Sequence, residues 1–190
     1  MLIKEKLILI GASTGGPGHL KKILLSLDPS FSTPVVIAKH MNPVFITSFV
    51  KQFDDELPFN FILADDRHEI KNYTMHVCAT HCELNKRERY LKLESASGVT
   101  SHYNPSVDHL FYSAVKLCKE YDVLAILLTG IGHDGAAGLS ELKNMGATCI
   151  AESEESAIVY GMPKKAAELN SNIKVMHLND IIKYIKRFGD

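Results

Sequence analysis

A serine placed between glycines on a sharp turn can become a nucleophile, and this chain carries one. Gly11-Ala12-Ser13-Thr14-Gly15-Gly16 fits the pattern G-x-S-x-G. Glycines let the backbone turn where a Cβ would collide, which presents the hydroxyl at the tip of the turn. Backbone N–H groups after the serine, beginning with Thr14, can face a developing oxyanion. A phosphate-cradling turn and a plain strand-to-helix turn fit the same residues. A Walker loop does not, because no Lys-Ser/Thr pair follows the glycines. A dinucleotide turn is disfavoured by the glycine spacing and by Lys39-His40, which stand where a ribose-binding acid belongs. His40 is a candidate base; a lone histidine at such a place is otherwise packed or solvated. Asp134, in Thr129-Gly130-Ile131-Gly132-His133-Asp134-Gly135, is a candidate acid. It serves equally well as a helix N-cap or a turn residue. His133 is a second candidate base.

Apolar runs alternate with amphipathic stretches, so the chain reads as α/β, a doubly wound and mainly parallel sheet. Leu7–Ile10, Val35–Ala38, Phe59–Leu63, Val123–Leu128, Thr148–Ala151 and Lys174–Leu178 read as strands. The first is apolar throughout, as in a strand buried on both faces. Helices are expected over 19–27, around Phe45–Phe53, from Pro105 through Cys118, from Asp134 to Met145, over 164–169 and over 180–188, the last capped by Asn179. Between Asp65 and Ser101 the pattern changes. Met75–Ala79 and Tyr90–Leu93 look like strands between polar turns, which predicts a small antiparallel excursion with a solvated hairpin over 83–92.

Within that frame Ser13, His40 and Asp134 each fall just past the C-terminal end of a parallel strand. Those ends share one sheet edge, where ligand sites of open α/β sheets form. Serine, histidine and aspartate are also the set that makes an activated nucleophile, its base and the group orienting the base. The chain order Ser, His, Asp differs from the Ser, Asp/Glu, His order of α/β-hydrolases. His177, inside the last strand pattern, does not restore it.

Other clusters carry less. His76, Cys78, His81 and Cys82 are potential metal ligands, but their spacing fits no zinc signature. Asp65-Asp66-Arg67-His68 could meet a divalent ion, and equally forms a polar turn. Tyr160-Gly161-Met162-Pro163 reads as a turn into a helix. The 190 residues are 46% hydrophobic and 23% charged with a formal charge of −1, which excludes disordered and fibrous classes. That balance gives no electrostatic footprint for nucleic acid. One domain over residues 1–190 is expected. The run Leu7–Ala12 is too short for a signal core or a membrane span, so no membrane insertion and a cytoplasmic location are expected. Cys78, Cys82, Cys118 and Cys149 show no disulfide framework and read as reduced buried thiols.

Several ordered motifs resemble the CheB-type protein-glutamate methylesterases over nearly the whole chain. They are Gly11–Pro17, Lys39-His40-Met41 with Phe45–Phe49, Pro105–Phe111, Leu128–Leu139 and Val159–Lys164. The resemblance implies a doubly wound sheet with helices on both faces. It implies a Ser13/His40/Asp134 triad, with Thr14 and Ile131 backbone N–H groups on the oxyanion. It implies hydrolysis of γ-glutamyl methyl esters on the cytoplasmic helices of methyl-accepting chemotaxis receptors, and deamidation of receptor glutamines. No metal or other cofactor is implied. Four positions depart from the family pattern: Lys39 replaces Gln, Ile131 replaces Met, Lys164 replaces Arg, and Cys78–Cys82 replaces an Ala-Pro-Gly loop. The family's N-terminal receiver domain has no counterpart before the first strand. If that is natural, activity independent of phosphorylation in cis is expected. The contrasting expectations are a non-catalytic receptor-binding domain of the same fold, and a nucleotide-binding α/β domain using Gly11–Gly18.

Overall fold

The computed structural model describes residues 4–64 and 68–189. Asp65, Asp66 and Arg67, raised above as ion ligands, lie outside the described residues. The elements run β1 (Glu5–Ala12), α1 (Gly16–Leu25), β2 (Val35–Lys39), α2 (Pro43–Glu56), β3 (Asn60–Ala64), β4 (His68–Glu69), β5 (Thr74–Cys78), β6 (Cys82–Arg87), β7 (Tyr90–Ser95) and α3 (Val107–Ala114). A 3-10 turn (Val115–Lys119) follows, then β8 (Tyr121–Leu127), α4 (Ala136–Asn144), β9 (Thr148–Glu152), α5 (Met162–Leu169), β10 (Lys174–Met176) and α6 (Leu178–Gly189).

Seven strands form one sheet in the order β10-β9-β8-β1-β2-β5-β3, and every pairing is parallel. Strand β1 is buried on both faces, and side chains alternate across a strand. Leu7 and Leu9 therefore join one core with Val107, Leu110 and Phe111 of α3, Leu139 and Leu142 of α4, and Ala166 of α5. Ile8 and Ile10 join the opposite core with Leu20, Ile23 and Leu24 of α1, Phe49 and Phe53 of α2, and Ile181 and Ile185 of α6. These two cores are the helical layers of the expected doubly wound architecture. An antiparallel sheet, β4-β7-β6, carries the charged hairpin and adds Leu84, Leu91 and Leu93 to the first core.

The antiparallel excursion is smaller than the sequence suggests. Thr74–Cys78 is a fully buried strand inserted, parallel, between β2 and β3. His76 and Thr74 break its apolar run, which disguises a central strand. His76 is fully buried, and its Nε2 accepts the Lys71 N–H at 3.2 Å. Two boundaries also move. The last strand stops at Met176, because Leu178 turns into the apolar core and its N–H donates to Ser156 Oγ at 3.0 Å. Asn179 consequently lies inside α6; its own N–H donates to the His177 ring at 3.1 Å. The helix expected from Pro105 begins at Val107, with Ser106 as N-cap through a 3.2 Å bond from the His109 N–H.

Burial holds the His76 imidazole pKa down to about 4, from an ordinary value of 6.5. The folded state thus keeps this ring neutral in a range where the unfolded chain binds a proton. Stability is lost as pH falls from about 6.5 towards 4. Denaturant unfolding across that range should show this slope in the wild type and a flatter one in His76→Gln.

Candidate active site

The sheet register puts the chemistry in one place. Strand β1 pairs with β2 as Ala12↔Lys39 and with β8 as Gly11↔Leu127. Ser13, His40 and the Thr129–Asp134 loop therefore leave three adjacent strands at the same edge. Two backbone bonds fix the exits: His40 N–H donates to Ala12 O at 3.0 Å, and Ser13 N–H donates to Thr129 O at 3.0 Å. Gly130 permits this closeness, since a Cβ there would stand 2.7 Å from Ser13 Cβ and 2.2 Å from Met162 Sδ. Met162 belongs to the Tyr160–Pro163 turn, which the sequence left without a role. Strands are added on one side of β1 by β2 and on the other by β8, so strand order reverses here and this edge is the switch point of the sheet.

His40 and Asp134 meet directly, with Nε2 2.7 Å from Oδ2. Asp134 is buried, and its carboxylate accepts three further bonds. Val107 N–H donates to Oδ2 at 2.6 Å, Asp108 N–H to Oδ1 at 3.0 Å, and Ser106 Oγ to Oδ1 at 3.1 Å. Asp134 is thus the anion at the start of α3. It does not cap α4, which begins from Gly135 in the left-handed region (φ 88°) with no side-chain cap. Burial works to raise the Asp134 pKa, but the bonds from His40, Asp108 and Val107 outweigh it and the net direction is down. The carboxylate is a pure acceptor, so His40 carries its proton on Nε2 and offers a free lone pair on Nδ1. This is the reverse of the ring orientation in the serine-protease template.

The ring plane of His40 is held as well. Tyr103 stacks on it with centroids 4.8 Å apart and an interplanar angle of 14°, and His133 meets Tyr103 edge-on at 5.8 Å. His133, weighed as a second base, is exposed and bonds to neither Ser13 nor Asp134 among the described contacts. Lys39 is buried and its Nζ donates to His40 O at 2.7 Å. Burial lowers its pKa. Among the described residues no hydrogen bond joins Ser13 Oγ to His40. Such bonds commonly tighten only when substrate arrives. Thr14 is exposed and Ile131 is 61% exposed. Neither backbone N–H has a backbone acceptor among the described residues. A groove of about 350 Å³ beside the site is lined by Ser101, Tyr103, Asp108, His133 and Asp134.

Sequence reasoning missed Tyr103 and Ser106 as parts of this site; it set the Cys78–Cys82 loop beside the site but gave His81 no role in it. His81 Nδ1 accepts the Ser106 N–H at 3.1 Å, so it braces the segment that holds Asp134. The proximity of 81 to 106 is a tertiary fact with no local signal. Ser106 carried one, since Ser before an apolar helix is an N-cap pattern. Of the four residues weighed as metal ligands, His76 binds Lys71 and His81 binds Ser106, while Cys78 and Cys82 lie side by side in the apolar core.

With this geometry in view, the comparisons with known proteins are decisive. The family model described as CheB methylesterase matches residues 8–185. The chain belongs to the CheB methylesterase family. A protein-glutamate methylesterase/protein-glutamine glutaminase of Syntrophus aciditrophicus is 36% identical over 186 residues, which is 96% of this chain and 54% of that protein. One of Photorhabdus laumondii is 37% identical over 191 residues, 98% of this chain and 53% of that protein. The chain thus spans about half the length of the curated relatives it matches. The crystal structure of the Thermotoga maritima CheB methylesterase catalytic domain superposes with a TM-score of 0.89 at 28% identity, over 97% of this chain and 99% of that one. The sheet and its small antiparallel companion are the CheB catalytic-domain fold.

The lowered pKa of Asp134 has a thermodynamic consequence. A depressed carboxylate contributes stability above its unfolded pKa, near 4 for aspartate, and loses it as pH falls through the lower folded value. The stability difference between the wild type and Asp134→Asn should hold constant near neutrality and shift below about pH 4, as read by chemical unfolding at each pH.

Proposed function

We propose that this chain is a serine esterase domain, residues 1–190, that removes methyl groups from γ-glutamyl methyl esters of chemotaxis receptors in the cytoplasm. By the same acyl chemistry it deamidates receptor glutamines. The observation that carries the reading is the 2.7 Å contact between His40 Nε2 and the buried Asp134, set one strand away from Ser13. The names of the curated relatives support the substrate class. The partners are the cytoplasmic helices of methyl-accepting receptors, and no nucleic acid or membrane insertion enters the scheme. Among the described residues no helix is long and apolar enough to cross a membrane.

In this scheme His40 Nδ1 takes the Ser13 proton as Oγ attacks the ester carbonyl carbon. Charge moves onto the carbonyl oxygen, which the Thr14 and Ile131 N–H groups receive. Asp134 holds the Nε2–H tautomer and stabilises the imidazolium that forms. The tetrahedral species collapses, and the leaving methoxide takes the proton from His40 to depart as methanol. Water then attacks the acyl-serine while His40 again accepts a proton. Glutamate and free Ser13 result. Amide substrates follow the same path with ammonia leaving. Protein side chains supply every step, so the scheme calls for no cofactor.

Methanol release from methylated receptor cytoplasmic fragments tests this reading. Wild type should release it and folded Ser13→Ala should not. Asp134→Asn should lower kcat by roughly 10³–10⁴, the cost of presenting the wrong tautomer. A folded wild type that neither releases methanol nor cleaves a small activated ester would overturn the esterase reading.

A further inference from the structure

We propose that Glu152 is a positioning residue for the nucleophile loop, acting through Thr129 on the Ser13–Thr14 peptide. The inference rests on the esterase reading and adds a residue to it. Glu152 ends β9 and is completely buried, although a carboxylate is costly to remove from water unless every oxygen is bonded. Here they are. Thr129 N–H donates to Oε2 at 2.9 Å, Ser156 Oγ donates to Oε1 at 2.8 Å, and His19 Nδ1 lies 3.2 Å from the carboxylate. A carboxylate only accepts, so His19 carries a proton on Nδ1.

Thr129, itself fully buried, converts that anchor into loop geometry. Its carbonyl accepts the Ser13 N–H at 3.0 Å, and its Oγ1 donates to Thr14 O at 2.9 Å while accepting the Val159 N–H at 2.9 Å. Ser13 O is taken by the Gly16 N–H at 2.9 Å. Both carbonyls bracketing the Thr14 N–H are therefore held. In a planar trans peptide the N–H points opposite the preceding carbonyl, so its direction is set as well. That N–H is the one assigned to the oxyanion. His19 ties the same carboxylate to α1, which starts at Gly16 on the far side of the loop. One buried anion thus fastens the turn from the β8 side and from the helix side. A residue serving only to fill space at this point would have no use for acceptor bonds on both its oxygens.

The test compares Glu152→Ala, Glu152→Gln and Thr129→Val with the wild type. Readouts are kcat and KM for a small activated ester, the rate of Ser13 labelling by a fluorophosphonate, and melting temperature. Glu152→Ala should lower kcat and the labelling rate by about tenfold or more while KM changes by less than about threefold. Thr129→Val, which removes the Oγ1 bonds to Thr14 O and from the Val159 N–H but leaves the Thr129 N–H on Glu152, should act in the same direction. The double variant should be no worse than the more damaging single one, because the two act in series. Glu152→Gln keeps an acceptor for the Thr129 N–H and should recover most of the activity. Wild-type kcat in a folded Glu152→Ala would overturn the proposal. So would wild-type kcat in Thr129→Val, which remains decisive should Glu152→Ala fail to fold. A Gln variant as impaired as the Ala variant would overturn it too, in favour of a charge effect. Absence of labelling and of ester cleavage in the wild type would instead sink the esterase reading beneath it.

Discussion

The buried carboxylate of Asp134 is the constraint around which this edge of the protein is built. A charge out of water needs its acceptor capacity filled, and four donors fill it: His40, Ser106, Val107 and Asp108. Three of these belong to the start of α3 and one to the end of β2. The aspartate thus welds two layers of the fold while holding the His40 ring. Its depressed pKa follows from the same donors, which favour the ionised form over the cost of burial. The cap expected of Asp134 at α4 does not form; its carboxylate instead receives the first N–H groups of α3, which Ser106 caps.

Strand β1 provides the second fixed reference. Its side chains feed both cores alternately, and its backbone is paired on both sides along its length. A strand held in this way cannot slip by one residue without turning its apolar set inside out. Ser13 inherits that precision from the register. Gly130 then lets the β8 loop pack between Ser13 and Met162 of α5, where Thr129 O accepts the Ser13 N–H.

Much of this was legible in the sequence because it depends on local pattern. Leu7–Ile10 announces a strand buried on both faces, and the glycine turn after it announces the serine. The strand-end positions of His40 and Asp134 followed from the alternation of elements. The misses share a physical cause. Thr74–Cys78 is central yet contains His76, whose ring is neutralised by burial and bonded to Lys71, so periodicity reads it as peripheral. Tyr103 and His81 reach the site from loops, through contacts that no spacing encodes. Glu152 left a faint signal, an acid at the end of an apolar strand on the same sheet edge as the serine. Of the groups that make its burial tolerable, Ser156 is only four residues on, but Thr129 and His19 are distant in sequence and meet it only in the fold.

The pairing of β1 with β8 has a consequence for how the molecule assembles. Leu9 pairs with Ala125, and His40 bonds to a residue 94 positions away. Strands β1 and β2 can associate early around α1, but the middle of the sheet is incomplete until β8 arrives. Loop-closure entropy is spent on these distant pairings before they stabilise anything, which makes such topologies slow to fold. During synthesis the N-terminal half must wait with one edge of β1 unsatisfied. An open edge of that kind is where a partner chain or chaperone engages a nascent protein. The serine turn and His40 are made early, and Asp134, which holds the His40 ring, comes only after β8. The edge that gathers Ser13, His40 and Asp134 is therefore complete only once β8 has joined β1.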